Sequence, residues 1–466
     1  MDTRRLLSIT ILYGAADVAV MAMGGFLLLP LYTHTLTQAA FGTYVAIKAN
    51  TEIFTYLVCL GLPSAVSRVY FDHRQSGQQA AYISSVLLFF ALCLTMLLGA
   101  MAAWGQQLWT ALSPTTPAMP YLGFSIGLAA LSFVSTLGTL WLRMEGRAKA
   151  FALVQVGTAA VLAGMATVNL AVLDMGLPGL LWAMVASTAA TGLLLPALLG
   201  RSFRPRIDWQ HIRTSLPFAG PSLLGYVAYF LLNRISTLIL QRHVSMDEVA
   251  VFGLSQQLAM IVTIAATAFA KAQQPMVFSA EPANVPRLLD RAGRLLRAMM
   301  LGLTAMLLLF SSELLALVAP RSYADGLQIL LILLVANFAN SFSQVSDTAL
   351  LYHRHPRASV AVTIFGALLS VCLSLLLVPR YHALGAAMVL AGAFTSMTLL
   401  SHWLAWRVTG QSYLLPMLGG LATAAGLAAV AVWLPTLGWS AALTASLKLA
   451  VLATLIGAIR WRLFRH

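Results

Sequence analysis

Three side chains that could bind ions lie at four-residue spacing early in the sequence: Lys48, Glu52 and Tyr56. Residues four apart share one face of an α-helix, so these three line up if the segment is helical. Lys48 could then meet an anion, while Glu52 and Asp17, which we expect at a similar depth on the preceding apolar segment, bind a cation. In the alternative interpretation Lys48 and Glu52 only neutralise each other, and the residue types favour neither.

A second candidate group contains Tyr226, Tyr229 or Phe230, and Asn233 along one helical face, with Arg234 beside them. The planar guanidinium of arginine donates two parallel hydrogen bonds, which suits the oxygens of a phosphate. Arg234 is therefore the leading candidate for contacting an anionic group. The alternative is an arginine near the end of an apolar segment that extends to the aqueous interface.

A third group is a polar stripe at helical spacing that contains Asn337, Asn340 or Ser341, Gln344 and Asp347. Helices that face lipid avoid such a stripe. The stripe predicts a helix that lines a water-filled cavity, with Asp347 as a candidate cation ligand. Hydrogen bonding between packed helices is the alternative.

The elements that position these residues follow from composition. Hydrophobic residues make up 60% of the chain and charged residues only 9%, with a mean hydropathy of +0.84. Soluble domains contain about 25% charged residues, so this chain is predicted to be an integral membrane protein. There is no GxxxxGK[ST] phosphate-binding loop and the histidines lack metal-ligand spacing, so the sequence indicates no enzyme, cofactor or metal site.

The predicted fold class is all-α, a polytopic membrane protein with about fourteen transmembrane helices. Glycine, proline and charge clusters separate the apolar runs. The predicted spans are residues 6–31, 42–67, 80–104, 121–142, 150–173, 177–199, 214–240, 248–270, 293–318, 326–351, 358–378, 383–407, 412–433 and 441–459.

The basic residues fall very unevenly on the two sides of the membrane that these spans define. Of 28 Lys and Arg residues, 22 lie on the side of the termini, while only Arg242, Arg321 and Arg380 lie opposite. Because cytoplasmic loops carry excess Lys and Arg, both termini are predicted to be cytoplasmic in a bacterial inner membrane. This distribution also explains the net charge of +14 without nucleic acid as a partner. Lys448, inside the last span, is expected to snorkel to the interface.

Two pairs of similar segments indicate an internal repeat. Phe41–Tyr44 resembles Val249–Phe252, and the segment from Val172 resembles the one from Val378 at nearly the same offset. The repeat predicts six-helix halves at residues 1–205 and 206–407 around a central cavity, followed by two additional helices and a basic tail at 408–466. Coincidence between glycine-rich turns is the alternative.

Three stretches resemble the polysaccharide-biosynthesis (Wzx-type, O-antigen and exopolysaccharide) flippases of the multidrug/oligosaccharidyl-lipid/polysaccharide exporter superfamily. They are LLLPLYTHTLTQAAFGTY from Leu27 with GLPSAVSRVYF from Gly61, NRISTLILQRHVSMDEVAVFGLSQQLA from Asn233, and LLLVPRYHALGAAMV from Leu375. The second stretch departs from the family pattern, since Asn233, Ala250 and Phe252 stand where Asp, Gly and Tyr are frequent.

The resemblance implies export of an undecaprenyl-diphosphate-linked oligosaccharide to the periplasmic leaflet by alternating access, coupled to an ion. Arg234, Lys48, Tyr226, Tyr229, Asn233, Asn337 and Gln344 would then bind substrate, and Asp17, Glu52 and Asp347 would bind the ion. Expected partners are anionic membrane lipids near the basic segments 201–213 and 287–294, and polysaccharide polymerase and export proteins. A cation-coupled multidrug antiporter and a component of a polymerase or secretion complex are the alternatives.

Overall fold

The structure is a computed structural model that describes residues 26–75, 77–193, 207–410, 414–434 and 441–464. Nearly all of these residues are helical, and none of them lies in a β-strand. The predicted all-α class is confirmed, as expected for a chain whose backbone groups must bond within each segment in hydrocarbon. The chain divides into two compact units, residues 1–250 and 251–466. The predicted halves at 1–205 and 206–407 rest on sequence repetition, a different criterion, and stay a prediction.

The helices of the first unit begin near the end of the first predicted span. They are α1 Leu29–Thr35, α2 Gln38–Cys59, α3 Leu62–Gln75, α4 Gln79–Leu112, α5 Tyr121–Met144, α6 Ala148–Thr167 with a π-helical turn Val168–Val172, α7 Gly176–Gly192 and α8 Trp209–Leu240. The last helix to begin in this unit is α9 Met246–Phe278.

The remaining helices belong to the second unit. They are α10 Val285–Leu309, α11 Ser311–Val318, α12 Gly326–Ser341, α13 Ser343–Tyr352, α14 Pro356–Thr409, α15 Leu414–Trp433 and α16 Ala441–Phe464. Short 3₁₀ turns lie at Pro282–Asn284 and Arg321–Tyr323. Within the described residues nine helical stretches are long and apolar enough to cross a membrane, and two shorter apolar ones are Met417–Trp433 and Leu443–Gly457.

The described parts of predicted spans two to fourteen lie largely in helices, but several spans are divided differently. Span 42–67 breaks after Cys59, where Leu60 and Gly61 have positive φ values of 47° and 74°. Spans 358–378 and 383–407 form two helices within α14 that meet at His382, with a φ of 52°. Most of span 6–31 lies outside the described residues.

The core of the first unit forms where α3, α4, α5 and the start of α8 meet. Phe90 and Phe133 stack there with ring centroids 3.9 Å apart. The hydroxyl groups of Tyr82 and Ser215 share a hydrogen bond of 2.8 Å. A buried polar network joins Asn50 of α2, Ser113 after α4 and Gln241 after α8, with distances of 2.8 and 3.2 Å. Hydrogen-bonded polar groups of this kind hold helices in one register, although Asn50 Oδ1 has no partner within the described residues.

In the second unit α12 packs against α10, α14 and α15, and α10 also packs against α16. The expectation that Lys448 snorkels is wrong. Its Nζ lies 2.5 Å from Oε1 of Glu313 in α11 and its side chain is 3% exposed. A buried ammonium beside a carboxylate avoids the cost of an uncompensated charge, so the helix does not need to bring Lys448 to the interface.

Two glycines allow α2 to approach other helices at backbone distance. A Cβ on Gly42 would lie 1.8 Å from the carbonyl oxygen of Met246, and one on Gly61 would lie 2.2 Å from that of Ala219. Small residues serve the same purpose in membrane helix pairs generally. These contacts fix α2 near the starts of α9 and α8.

Gly42→Ala is therefore expected to destabilise the protein by about 1–3 kcal/mol, because the new methyl group can be accommodated only by moving backbone. Thermal unfolding of the purified protein in detergent, followed by tryptophan fluorescence, measures this. Gly99→Ala in α4 is the control, since no heavy atom lies within 4 Å of its Cβ position. Equal melting temperatures for Gly42→Ala and the wild type would contradict the close contact.

Candidate functional site

Glu52 of α2 and Arg234 of α8 form a bidentate ion pair. Arg234 Nε donates to Glu52 Oε2 at 2.9 Å and Nη2 donates to Oε1 at 2.7 Å. The Glu52 side chain is 31% exposed and the Arg234 side chain is 17% exposed, so the pair is partly buried between membrane-spanning helices. Fork-to-fork geometry is the strongest arrangement available to these two groups.

Aromatic side chains extend from this pair along the two helices. Tyr56 stacks on Tyr226 with ring centroids 5.8 Å apart and an angle of 14°, and its edge meets Phe230 at 5.9 Å. The hydroxyl groups of Tyr226 and Ser64 lie 2.5 Å apart. Two rows of side chains at four-residue spacing therefore face each other. One row is Glu52 and Tyr56 of α2, and the other is Tyr226, Phe230 and Arg234 of α8.

We name the residues Lys48, Glu52, Tyr56, Tyr226 and Arg234 the tyrosine–arginine cluster. Lys48 lies one turn before Glu52 on the same face of α2, half-buried, and makes no ion pair or hydrogen bond within the described residues. The pairing of Glu52 with Arg234 answers one open question, because Glu52 is not simply the partner of its own helix neighbour Lys48.

Two other predicted residues of α8 border the cluster. Tyr229 has half of its surface exposed. The Asn233 amide donates to the Tyr229 carbonyl oxygen at 2.8 Å, one turn back in the same helix. Asp17 lies outside the described residues, so its predicted proximity to Glu52 stays a prediction.

The polar stripe of span ten lies in the second unit and has two parts. Asn337 is buried: Thr263 of α9 donates to its Oδ1 at 2.6 Å, and its amide donates to the Leu333 carbonyl oxygen at 2.7 Å. These bonds are those of a helix–helix contact. Gln344, after the interruption at Phe342, is half-buried.

Asp347 of α13 accepts hydrogen bonds from both helices of α14. Ser359 and Ser401 donate to its Oδ1 at 3.2 and 3.4 Å. Beside them, Ser346 and His402 Nδ1 are 2.8 Å apart. No group of three or more His, Cys, Asp or Glu that could hold a metal ion occurs in the described residues. Asp347 therefore lies in a setting rich in hydroxyl groups, between α13 and the two helices of α14.

Sequence reasoning missed Ser64, Thr263, Ser359 and Ser401, because isolated serines and threonines are common in membrane helices. They gain meaning only when the fold brings them to a tyrosine, an asparagine or an aspartate. Ser64 had the strongest signal, since it lies in GLPSAVSRVYF, a stretch that resembles the flippases.

The model of the family described as polysaccharide biosynthesis protein matches residues 9–281, more than half of the chain. The chain belongs to this family. The matched range includes α2 and α8, and with them the whole tyrosine–arginine cluster. No curated protein sequence matches the chain.

Solved structures of flippases and transporters share the fold. The lipid II flippase MurJ, in an inward closed conformation, has a TM-score of 0.77 and 11% identity, covering 97% of this chain and 99% of that chain. An inward-facing multidrug resistance MATE transporter of the MOP superfamily has a TM-score of 0.64 and 17% identity, covering 90% and 95%. A MOP-superfamily transporter from Pyrococcus furiosus has a TM-score of 0.57 and 16% identity, and the match covers 87% of this chain and 95% of that chain.

These comparisons confirm the resemblance found in the three sequence stretches. The chain belongs to the polysaccharide biosynthesis family, and its fold is also that of solved flippases and transporters. Since the identities are low, the solved structures establish the polytopic membrane fold and leave the substrate to the residues of the site.

The Glu52–Arg234 pair predicts strong energetic coupling between two helices. Glu52→Gln and Arg234→Gln should each destabilise the protein, and the double variant should lose less than the sum, with a coupling of about 1–3 kcal/mol. Thermal unfolding of the four proteins in detergent gives this double-mutant cycle.

The control is the exposed pair Arg68–Asp72, 3.4 Å apart in one helix. Its cycle should give about 0.5 kcal/mol or less, because solvent screens exposed pairs. Additive losses at Glu52 and Arg234 would mean that the pair contributes nothing beyond two separate side chains.

Proposed function

We propose that this protein is a flippase that moves an undecaprenyl-diphosphate-linked oligosaccharide from the cytoplasmic to the periplasmic leaflet for surface polysaccharide synthesis. Membership of the polysaccharide biosynthesis family and the flippase-like fold support the proposal. The observation that carries it is the guanidinium of Arg234, held among membrane-spanning helices with its donors paired to two carboxylate oxygens.

A diphosphate that crosses the hydrocarbon layer needs compensating charge. The idealised cost of transferring an ion into such a medium is tens of kcal/mol, so a flippase must supply a polar route with cations along it. Arg234 has a permanent charge and donors that fit two phosphate oxygens, and Lys48 adds a second cation near the same helix face. Tyr226, Tyr229 and Asn233 are proposed to contact the substrate beside them.

Transport is proposed to proceed by alternating access of two six-helix halves around a central cavity, with ion coupling through Asp17, Glu52 or Asp347. Asp347 is proposed because its carboxylate and the hydroxyl oxygens of Ser359 and Ser401 lie together and could share a monovalent cation. Asn337 and Gln344 remain proposed substrate contacts, although the bond from Thr263 also gives Asn337 a structural role. Anionic lipids and polysaccharide polymerase and export proteins are the proposed partners.

A cation-coupled drug antiporter is the second candidate, supported by the likeness to MATE transporters. Complementation separates the two. In a strain that lacks its own flippase, Arg234→Ala should abolish glycan export and Arg234→Lys should restore only part of it, because a lysine cannot hold two phosphate oxygens in a fork.

Membrane abundance of each variant is measured in parallel, and Asp72→Asn, in the exposed pair with Arg68, serves as the control that keeps export. Near-normal export by Arg234→Ala, or full export by Arg234→Lys, would contradict a headgroup role. If the Arg234 variants change the resistance of the cells to cationic drugs and leave glycan export unchanged, the result favours the antiporter.

The proposed topology is a bacterial inner-membrane protein with both termini in the cytoplasm. It predicts that a cysteine at Thr115, exposed between α4 and α5, reacts with an impermeant maleimide added to intact cells. A cysteine at Asn284, exposed between α9 and α10, should react only after the membrane is opened. Both are placed in a background without Cys59, Cys93 and Cys372. Labelling of Asn284→Cys in intact cells would contradict the proposed orientation.

A further inference from the structure

Glu52 occupies the donors that an anionic headgroup would use. Both of its carboxylate oxygens accept from Arg234, at 2.9 and 2.7 Å, in the geometry that a phosphate would adopt. A ligand oxyanion can take the edge formed by Nε and Nη2 of Arg234 only if Glu52 leaves it. Glu52 is then a competitor of the substrate, built into the site.

Lys48 offers Glu52 a second position. The two residues are four apart on α2, where side chains come within about 5–6 Å at Cβ. A lysine that precedes a glutamate by four residues is the less favourable order of such a pair. Lys48 also lacks the planar fork of arginine. Glu52 should thus prefer Arg234 and accept Lys48 only when Arg234 gains a stronger anion.

We propose that Glu52 is a specificity residue that releases Arg234 to the diphosphate of the substrate and transfers to Lys48. This inference rests on the proposed flippase function. The exchange keeps every charge compensated: Arg234 trades one oxyanion for another, and the displaced carboxylate meets an ammonium on its own helix.

The exchange selects ligands by charge. A lipid with a single negative charge offers Arg234 no more than Glu52 already does, and it must also displace that carboxylate. A diphosphate has more charge and more acceptor oxygens, so it can contact Arg234 while Glu52 moves to Lys48. Neutral ligands have no charge with which to open the pair, and a cation that took Glu52 would leave Arg234 uncompensated.

Binding of short prenyl diphosphates to the full-length protein in nanodiscs tests the exchange. The probe is geranylgeranyl diphosphate, with geranylgeraniol as the headgroup-free control, and titration calorimetry gives the affinities. Glu52→Gln should bind the diphosphate about tenfold more tightly than the wild type, equivalent to about 1.4 kcal/mol, because the competitor is gone. It should also gain measurable affinity for geranylgeranyl monophosphate.

Two further variants separate competition from general damage. Asp72→Asn removes the carboxylate of the exposed pair with Arg68 and should leave the affinity unchanged. Glu52→Asp shortens the side chain but keeps the charge, so its affinity should fall between those of the wild type and Glu52→Gln. If Glu52→Gln does not fold, tighter diphosphate binding by Glu52→Asp than by the wild type still tests the competition.

Lys48→Gln decides between exchange and simple attraction. If Lys48 receives Glu52, its removal should weaken diphosphate binding about tenfold in the wild type and have little effect in the Glu52→Gln background. If Lys48 only contacts the headgroup, the loss should be equal in both backgrounds, and the exchange is wrong.

The remaining outcomes are also distinct. Unchanged or weaker diphosphate binding by Glu52→Gln, with a wild type that still prefers the diphosphate over the alcohol, overturns the exchange and leaves the flippase proposal intact. Equal binding of diphosphate and alcohol by the wild type and by Glu52→Gln overturns both.

Discussion

A charge inside the hydrocarbon layer needs an opposite charge or water beside it, since even insertion scales assign it about 3 kcal/mol at the bilayer centre. The two ion pairs Glu52–Arg234 and Glu313–Lys448 satisfy this requirement between helices that are distant in sequence. Each pair therefore constrains the fold of its own unit as well as its charge. An error in helix register would separate the partners and leave two uncompensated ions, which makes the pairs a check on correct packing.

Close approach of the helix backbones makes the first pair possible. Gly42 of α2 lies against Met246, and Gly61, just after the end of α2, lies against Ala219, so one contact lies on each side of Glu52 along the chain. Side chains as short as glutamate reach an arginine of the facing helix in a fork only when the backbones are near each other. The buried network of Asn50, Ser113 and Gln241 adds hydrogen bonds at the same helix interface. Packing of small residues thus precedes the chemistry of the site and determines its geometry.

The sequence predicted the helical class and the positions of spans two to fourteen, because apolar runs and basic loops report directly on the membrane. It also identified Lys48, Glu52, Tyr226 and Arg234 as candidates, since ionisable and aromatic residues on one face are costly unless they are used. It did not predict that Glu52 bonds Arg234, because helical spacing shows neighbours within a helix and no partners across helices. The same limit explains the error at Lys448. The break at Leu60 and Gly61 had a local signal in Gly61 and Pro63, which the predicted span 42–67 ran through.

In the proposed flippase, the Glu52–Arg234 ion pair reconciles two demands. Folding in lipid favours a site with little net charge, whereas binding a diphosphate requires a cation that is already positioned. Arg234 bonded to Glu52 meets both, since its guanidinium stays in place and only the oxyanion in front of it has to change. A cationic drug would have the opposite requirement. It would need Glu52 as its own counter-ion and would leave Arg234 uncompensated beside a second positive charge, at a cost of several kcal/mol in a poorly solvated site. The pairing of Arg234 with Glu52 therefore favours an anionic substrate over a cationic one.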